Sequence, residues 1–515
     1  MTQIQARSLV DGAVSADAQA APAYPPSERR RRLSPAASAV ASQKVPAPYS
    51  QVVIGGLVRL ADLCLIVAAG LLLGFAHLGG LASPGWDYTV ASVAVAIASI
   101  VSFQAVRLYD IHNLRTPSTS LIKTAVTWSA VLLVCAIAAI VFAPSDATTR
   151  LWLTLLFPVG LGVLVVSRVV LSWLVQLWMR QGRLTRRTVI VGADGNGQAL
   201  ITLLKSQPDT GIDVLGVFDD RNDDRSLQAC AGIPKLGKVA DIVEFARRTR
   251  LDLVLFALPI SAETRILNML KQLWVLPIDI RLSAHSNSLQ FRPRAYVYLG
   301  NVPTIHIGEQ PIQDWDLVMK WLFDRIVGGL MLLLVSPILV LIAIAIKLDS
   351  PGPVLFKQKR FGFNNDRVDV FKFRSLYHDQ ADQLAAKSVT KGDKRVTRVG
   401  RFIRRSSLDE LPQLFNVVFA GNLSLVGPRP HAVQQKLESR MLDEAVDGYF
   451  ARHRVKPGIT GWAQINGWRG ELDTAEKIQK RVEFDLAYIE NWSLLFDISI
   501  LAKTPLALLK PEGAY

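Results

Sequence analysis

Two kinds of hydrophobic pattern divide this chain. Four long apolar stretches, near 54–78, 88–106, 121–142 and 151–177, carry few charges. At ~1.5 Å per residue each is long enough to cross a hydrocarbon layer of ~30 Å, so the pattern predicts a four-helix transmembrane region over 51–180. From 186 the apolar residues come instead in short runs: "RRTVIV" (186–191), "VLGVFDD" (214–220), "LDLVLFALP" (251–259) and "PIDIRLS" (277–283), with helical stretches between them. That alternation predicts a Rossmann-like α/β domain with a parallel sheet, of the CoA- or NAD-binding kind, over 186–305. A fifth apolar run, 326–346, is broken at its middle by Ser336-Pro337.

The interruptions carry information of their own. Proline removes a helix donor and crowds the carbonyl four residues back, so a kink is expected at Pro337. Lys320 and Arg325 precede the run and Lys347, Lys357, Lys359 and Arg360 follow it, so both ends are basic. A spanning helix is basic chiefly on one side, and the flanks fit both a hairpin that returns to the same face and a kinked helix that crosses. In the Rossmann-like region the turn "GADGNGQAL" reads G-x-G-x-x-L, with Leu200 where a dinucleotide fingerprint has Gly or Ala. A purely structural or regulatory role for the turn is favoured over nucleotide binding. No tyrosine has a lysine four residues later, which argues against short-chain oxidoreductase chemistry. Farther on, "VLFKQKRFGFNNDRVDVFKFRSL" alternates aromatic and basic residues around Asn364-Asn365-Asp366 and predicts a hairpin.

Composition sharpens this picture in three places. The chain has 515 residues, half of them hydrophobic, and a formal net charge of +15. Several membrane segments and anionic partners fit those totals. Residues 1–50, rich in Ala, Pro and Ser and containing Arg29 to Arg32, predict a disordered cytoplasmic tail and not a signal peptide. The loops at 79–87 and 143–150 hold at most Arg150, whereas Arg107, Arg115 and Lys123 lie between the second and third spans and Arg180, Arg183, Arg186 and Arg187 follow the fourth. By the positive-inside tendency both ends of the four-helix unit face the cytoplasm. Arg59 and Asp62 share a helix face and Arg168 lies inside the fourth span; pairing or snorkelling at an interface is the expected role. Cys64, Cys135 and Cys230 form no disulfide framework or metal-ligand spacing.

The candidate chemistry lies after residue 347. Residues 351–430 hold fifteen Lys/Arg against seven Asp/Glu. A nucleic-acid stacking platform is one reading of that excess; a surface resting on lipid headgroups and gathering phosphates is the favoured one. Within "RRSSLDELPQLFN" (404–416), Asp409 and Glu410 stand side by side. Adjacent residues on a helix point about 100° apart, which argues against a matched acid/base pair around one bond. A division of labour fits better: one carboxylate attacks while the other holds a hard cation such as Mg²⁺. Arg395, Arg398, Arg404 and Arg429 could supply fork-shaped donors for a diphosphate and depress the nucleophile's pKa. Simple capping of a helix start remains open for the same pair.

Residues 318–515 resemble, nearly end to end, the bacterial sugar transferases, that is, the polyprenyl-phosphate glycosyl-1-phosphate transferases of the monotopic phosphoglycosyl transferase superfamily. The resemblance runs through "SP" (336–337), "FKQKRFG" (356–362), "FKFRSL" (371–376), "DKRVTRVGRFIRRSSLDELPQL" (393–414), "SLVGPRP" (424–430), "KPGITGWAQINGWRG" (456–470) and "YIENWSLLFDISI" (488–500). The preceding four helices and Rossmann-like region look like the long form. The resemblance implies a fold of three parts: a membrane α-helical N-terminal bundle, a Rossmann-like α/β middle domain, and an α/β monotopic catalytic domain over 318–515 with a re-entrant membrane helix at 320–347 bent at Ser336 and Pro337. It further implies Asp409 as nucleophile, Glu410 as the Mg²⁺ ligand, Arg429 as a nucleotide or phosphate contact, and Lys372 and Arg374 as members of a basic phosphate-binding block. Asn422 departs from the family's usual Asp, which puts a role for that position in metal or loop anchoring in doubt.

The reaction so implied is transfer of a hexose 1-phosphate from a UDP-sugar to undecaprenyl phosphate, releasing UMP through a phosphosugar-Asp intermediate, at the start of exopolysaccharide or capsule assembly. "GPRPHAV" (427–433), "ARHRVKPGITGWAQINGWRGE" (451–471) and "KPEGAY" (510–515) look most like the branch that transfers glucose, with galactose and N-acetylhexosamine as the alternatives. Expected partners are the UDP-sugar, the carrier lipid and membrane lipids, with no nucleic acid; the resemblance also allows a homodimer. The expected location is the bacterial inner membrane, multi-pass, with the catalytic domain on the cytoplasmic face. The rivals are a non-catalytic membrane scaffold and an ordinary glycosyltransferase that would release UDP.

Overall fold

A computed structural model describes residues 32–77, 86–142, 147–207, 211–221, 229–259, 262–284, 297–299, 302–378, 393–431, 436–437, 440–441, 449–470 and 474–509. The chain divides into two compact units, residues 44–185 and the remainder. Of the tail expected to be disordered over 1–50, residues 1–31 lie outside the described part, as does "KPEGAY". The rest departs from expectation, because helix α1 (Pro35–Ala41) is ordered. Ser34 caps it by accepting from Ala37 N at 3.1 Å and donates to Leu236 O at 2.6 Å. Ala37 and Ala41, four apart, bury their methyls beside Leu236, Val239 and Ile242. A Ser cap followed by Pro is a helix start that the surrounding Ala-rich composition conceals.

In the first unit the four predicted spans are helices: α2 (Gln51–His77), α3 (Trp86–Ala105), then, after short α4 (Ile111–Arg115), α5 (Pro117–Phe142) and α6 (Ala147–Arg180). Small residues let them approach closely. A Cβ on Gly70 would meet Ser92 Oγ at 2.3 Å, and one on Gly160 would meet the Trp128 ring at 2.4 Å. The buried indoles are satisfied by carbonyls, Trp152 by Gly70 O at 2.8 Å and Trp128 by Phe157 O at 3.1 Å. Asp62 pairs with Arg168 at 2.5 Å, both side chains fully buried, and Arg168 Nε also reaches Thr124 Oγ1 at 3.3 Å. Pairing is therefore the outcome for Asp62; Arg59 lies instead over the Tyr109 ring.

The second unit begins with an eight-stranded sheet: β1 (Arg186–Val191), β2 (Ile212–Phe218), β3 (Ala229–Cys230), β4 (Ile233–Gly237), β5 (Leu253–Phe256), β6 (Asp279–Ser283), β7 (Val297–Leu299) and β8 (Val302–Gly308). Their order is β3-β4-β2-β1-β5-β6-β8-β7. The four predicted strands, β1, β2, β5 and β6, form its parallel centre, and β7 and β8 add an antiparallel edge. Continuous apolar runs belong there because helices cover both faces. Helix α7 (Gly195–Lys205) packs on one face, and α8 (Asp241–Arg248) and α9 (Glu263–Leu273) on the other.

The glycines of the turn serve close packing of the backbone. A Cβ on Gly197 would meet Gly192 O at 2.1 Å, so close helix approach requires glycine. The turn's amides already have anionic partners within the chain. Asn196 N and Gly197 N donate to Asp194 Oδ1 at 3.1 and 3.2 Å, and Ala193 N donates to Asp219 Oδ2 at 2.7 Å. Leu200 is fully buried in the sheet core.

Helix α10 (Asp314–Asp349) continues through Pro337 as one element. The carbonyl that Pro337 cannot serve, Leu333 O, accepts instead from Ser336 Oγ at 2.8 Å. Both halves of α10 rest on the elements that follow. Near its start Lys320 Nζ bonds Asp497 Oδ2 at 2.5 Å and Val426 O at 2.9 Å, while Asp324 Oδ1 accepts from Ser424 Oγ and Leu425 N. Near its end Leu339, Ile342 and Ile346 are buried with Phe373 and Ile403, and Val399 N donates to Asp349 Oδ2 at 3.0 Å. Leu333, Leu334 and Leu341 on the outer face stay 67–80% exposed.

The rest comprises the predicted hairpin of β9 (Leu355–Phe361) and β10 (Arg367–Phe373), α11 (Arg398–Arg405), a 3-10 turn at Leu408–Glu410, and α12 (Gln413–Phe415) running into a π turn at Asn416–Ala420. Strand β11 (Ser424–Val426), the small β12 and β13 pair (Lys436–Leu437, Arg440–Met441) and β14 (Gly458–Thr460) precede α13 (Trp462–Ile465), α14 (Ala475–Glu490) and α15 (Leu494–Leu509).

Candidate active site

Ser407 sets the direction of the acidic turn. Its left-handed backbone, φ 58°, ends the run from α11 and starts the 3-10 turn that carries both carboxylates. Glu410 Oε1 accepts from Lys372 Nζ at 2.8 Å and Arg429 Nη2 at 2.6 Å. Strand β10 supplies the lysine, and the loop after β11 supplies the arginine.

Asn416, fully buried, keeps β10 in place. Its side chain accepts from Phe371 N at 2.9 Å and donates to Asp369 O at 2.7 Å, so it replaces a neighbouring strand on either side of Val370. The same amide donates to Asn422 Oδ1 at 3.1 Å. That bond explains the loop-anchoring side of position 422, and an Asp there would accept it equally well.

Burial and charge separate the two acids. Burial opposes ionisation of Glu410, but Arg429, Lys372 and Arg360 overcome it and hold the carboxylate well below its usual range. Asp409 goes the other way. Burial raises its pKa, Glu410 adds to the rise, and Lys372, Arg404 and Arg429 offset only part of it. The expectation that arginines would depress the pKa of the attacking carboxylate therefore transfers to its neighbour, because both direct cation contacts fall on Glu410.

Among the described residues, positive charge exceeds negative around the two acids. Arg360, Lys372, Arg404, Arg429 and Arg469 all act electrostatically on Asp409 or Glu410, five cations for two carboxylates. Burial and Arg429 bring Arg360 down to about 10, so it remains a cation at neutral pH. Arg360 and Arg469 were absent from the sequence-derived site, although both lie inside the quoted blocks "FKQKRFG" and "KPGITGWAQINGWRG".

Three sequence candidates lie elsewhere. Arg374 is buried and donates to Ser350 O at 2.7 Å and Ser350 Oγ at 3.0 Å, clamping the end of α10. Gly352 makes room for it, since a Cβ there would meet Arg374 Nη1 at 2.1 Å. Arg395 forms a two-pronged pair with Asp393, Nη2 to Oδ2 at 2.6 Å and Nε to Oδ1 at 3.0 Å, so its fork is already engaged. Arg398 is exposed in the first turn of α11.

The donor set bears on a metal. Among the described residues no group of three or more His, Cys, Asp and Glu converges, so Asp409 and Glu410 are the acidic oxygens at hand. Mg²⁺ commonly takes one or two carboxylates and completes its shell with phosphate and water, and this pair fits that habit.

Comparison with known proteins adds independent findings. A family model described as bacterial sugar transferase matches residues 315–511. A CoA-binding domain model matches 104–284, reaching back through the last two helices of the membrane bundle. The chain is 33% identical over 461 residues, 89% of its length and 94% of the relative, to the UDP-glucose:undecaprenyl-phosphate glucose-1-phosphate transferase of Xanthomonas campestris pv. campestris. It is 38% identical to the protein of the same name from Klebsiella pneumoniae, covering 77% of this chain and 83% of that one. The UDP-N-acetylgalactosamine-undecaprenyl-phosphate N-acetylgalactosaminephosphotransferase of Aeromonas hydrophila is 42% identical over 35% of this chain and 41% of its own.

Proposed function

This chain belongs to the bacterial sugar transferase family, and from that membership we propose that it is a membrane enzyme transferring a hexose 1-phosphate from a UDP-sugar to undecaprenyl phosphate. The observation that carries the proposal is the paired carboxylates under a surplus of cations, with Glu410 held ionised between Lys372 and Arg429. Both substrates are phosphate anions, and a cleft with more positive than negative charge is built to receive them.

In this reading a carboxylate oxygen of Asp409 attacks the sugar-bearing β-phosphorus of the donor. The bond from that phosphorus to the bridging oxygen breaks, and UMP leaves with the electron pair. An acyl phosphate now joins Asp409 to the sugar. A phosphate oxygen of the carrier lipid attacks the same phosphorus, the bond from that phosphorus to the Asp409 oxygen breaks, and the Asp409 carboxylate leaves with the electron pair and is restored. Dividing one transfer into two displacements predicts ping-pong kinetics. Arg429 and Lys372 orient Glu410 and face the incoming diphosphate; Arg360, Arg404 and Arg469 add positive charge around it. Glu410, with Asp409 beside it, would hold Mg²⁺, which neutralises phosphate charge when bound.

The seating of both halves of α10 on one body supports a helix that enters and leaves the membrane by one face, and the exposed Leu333, Leu334 and Leu341 would meet lipid. A helix inserted in that way would bring Asp409 to the headgroup level where the lipid phosphate lies. Glucose is the preferred sugar, from the motifs around Pro-Arg-Pro and the names of the two longer relatives. Product of this kind would begin an exopolysaccharide or capsule repeat unit. The deciding assay combines purified protein, UDP-glucose, Mg²⁺ and undecaprenyl phosphate and identifies the nucleotide released. UMP is expected; UDP would mark an ordinary glycosyltransferase, and no turnover with any UDP-hexose or UDP-N-acetylhexosamine would mark a scaffold.

A further inference from the structure

Under the substrate-facing cations lies a second, buried layer of arginines. Arg452, fully buried, donates from Nη2 to Arg429 O at 2.8 Å and pairs with Asp485 Oδ2 at 2.6 Å. Arg481, from α14, is also buried and grips the loop after α13. Its Nε and Nη2 reach Trp468 O at 2.9 and 2.5 Å, and Nη2 reaches Gly470 O at 3.4 Å. Both arginines meet His431, Arg452 at Nδ1 at 2.7 Å and Arg481 at Nε2 at 3.3 Å, and Tyr449 OH lies 2.7 Å from the same Nδ1. One buried layer thus fixes two backbone stretches from behind. The first stretch bears Arg429, already placed against Glu410.

The second stretch bears Arg469, which no role has so far explained. Arg481 binds the carbonyls immediately before and after it, and Gly467 and Gly470, at φ 91° and 100°, shape the turn that turns it toward the acids. Among the described residues its one hydrogen bond runs from Nη2 to Ser407 Oγ at 2.6 Å, two positions from Asp409. Nε and Nη1 of the guanidinium remain to serve a ligand, and an arginine fork suits phosphoryl oxygens. Arg429, Glu410 and Asp409 all act on its charge, which puts it beside the same cleft.

We propose that Arg469 is a second phosphate-binding arginine of the donor site, held opposite Arg429 by the shared Arg452–His431–Arg481 layer and contacting the phosphoryl groups of the nucleoside diphosphate sugar. The inference rests on the UDP-sugar reading of this site.

The test is calorimetric binding of UMP with Mg²⁺ to full-length protein in detergent, comparing wild type, Arg469→Ala, Arg469→Gln and Ser407→Ala, with thermal unfolding recorded for each. A lost charge-assisted contact predicts about 10- to 100-fold weaker UMP binding for Arg469→Ala. Arg469→Gln, which can still donate to Ser407 but lacks the fork, is expected to lose affinity similarly; it decides the case if the alanine variant does not fold. Ser407→Ala is expected to lose less than either. Affinity restored by Arg469→Gln, or equal losses for Ser407→Ala and Arg469→Ala, would reduce Arg469 to a prop for Ser407 and overturn the inference. A wild type that binds no UMP would remove the donor itself, and with it the reading of the whole site; a wild type that binds UMP as tightly as Arg469→Ala overturns only the role of Arg469.

Discussion

Asp62 in the membrane bundle and Glu410 in the catalytic cleft are both carboxylates held against cations, and they differ in what is left over. Asp62 meets one arginine, Arg168, at 2.5 Å, and both side chains are fully buried. Glu410 meets two cations directly, and the side chains of Glu410, Lys372 and Arg429 keep 15–23% of their exposure. Three further arginines, Arg360, Arg404 and Arg469, act on the acidic turn, so among the described residues that act on it the cations outnumber the acids. A pair whose charges cancel ties helices together. A cluster whose charges do not cancel is suited to an anion from outside. Counting signed charge around a buried carboxylate therefore separates a cross-link from a binding site in one molecule.

The comparison can be broken or sharpened by substitution. The largest effect belongs to Asp409→Asn, which removes the proposed attacking oxygen while keeping the shape; transfer is expected to fall by about 10⁴-fold or more with an unchanged unfolding temperature. Next comes Asp62→Ala, which leaves Arg168 buried and unpaired at a cost of ~3–5 kcal/mol, seen as lower thermal stability in detergent. Replacing both Asp62 and Arg168 with leucine should recover most of that loss, because no charge then remains buried. If the single variant is as stable as wild type, Asp62 is not the cross-link described.

Sequence and structure agree where the signal is a period and part where it is a choice of partner. The four spans, the parallel strands β1, β2, β5 and β6, and the β9–β10 hairpin were legible, since long apolar runs and Asn-rich turns fix them locally. Asp409, Glu410, Lys372 and Arg429 were legible as a group, and the structure brings them together. Arg395 was not separable from its neighbours: in "DKR" the nearby Asp393 captures it, whereas Arg404 keeps its effect on Asp409. Arg374 looks like a phosphate ligand in sequence, but Gly352 opens a slot that lets it reach the end of α10. Arg481 is anchored on the carbonyls of Trp468 and Gly470, and Arg469 between them reaches Ser407, next to "LDE", across 62 residues; spacing carries no trace of either.

Two smaller effects follow from the same geometry. As the proposed nucleophile Asp409 would attack only when ionised, and its pKa is raised by burial and by Glu410. Turnover should therefore be full at high pH and fall on acidification at a higher pH than an ordinary Asp, near 3.9, would give. A pH–rate profile with its acid limb at or below that value would show that the cations govern Asp409 after all. The smallest change is expected for Asn422→Asp. Asn416 Nδ2 can donate to either residue, so stability should shift by no more than ~0.5 kcal/mol and turnover should be retained.

The most direct test of the account is intact-protein mass analysis after mixing enzyme with UDP-glucose and Mg²⁺ in the absence of carrier lipid. The account predicts one phosphoglucosyl group per chain, mapped by peptide analysis to Asp409 and released on adding undecaprenyl phosphate. Transfer proceeding at full rate with no adduct on that residue, or with the same adduct in Asp409→Asn, would contradict it.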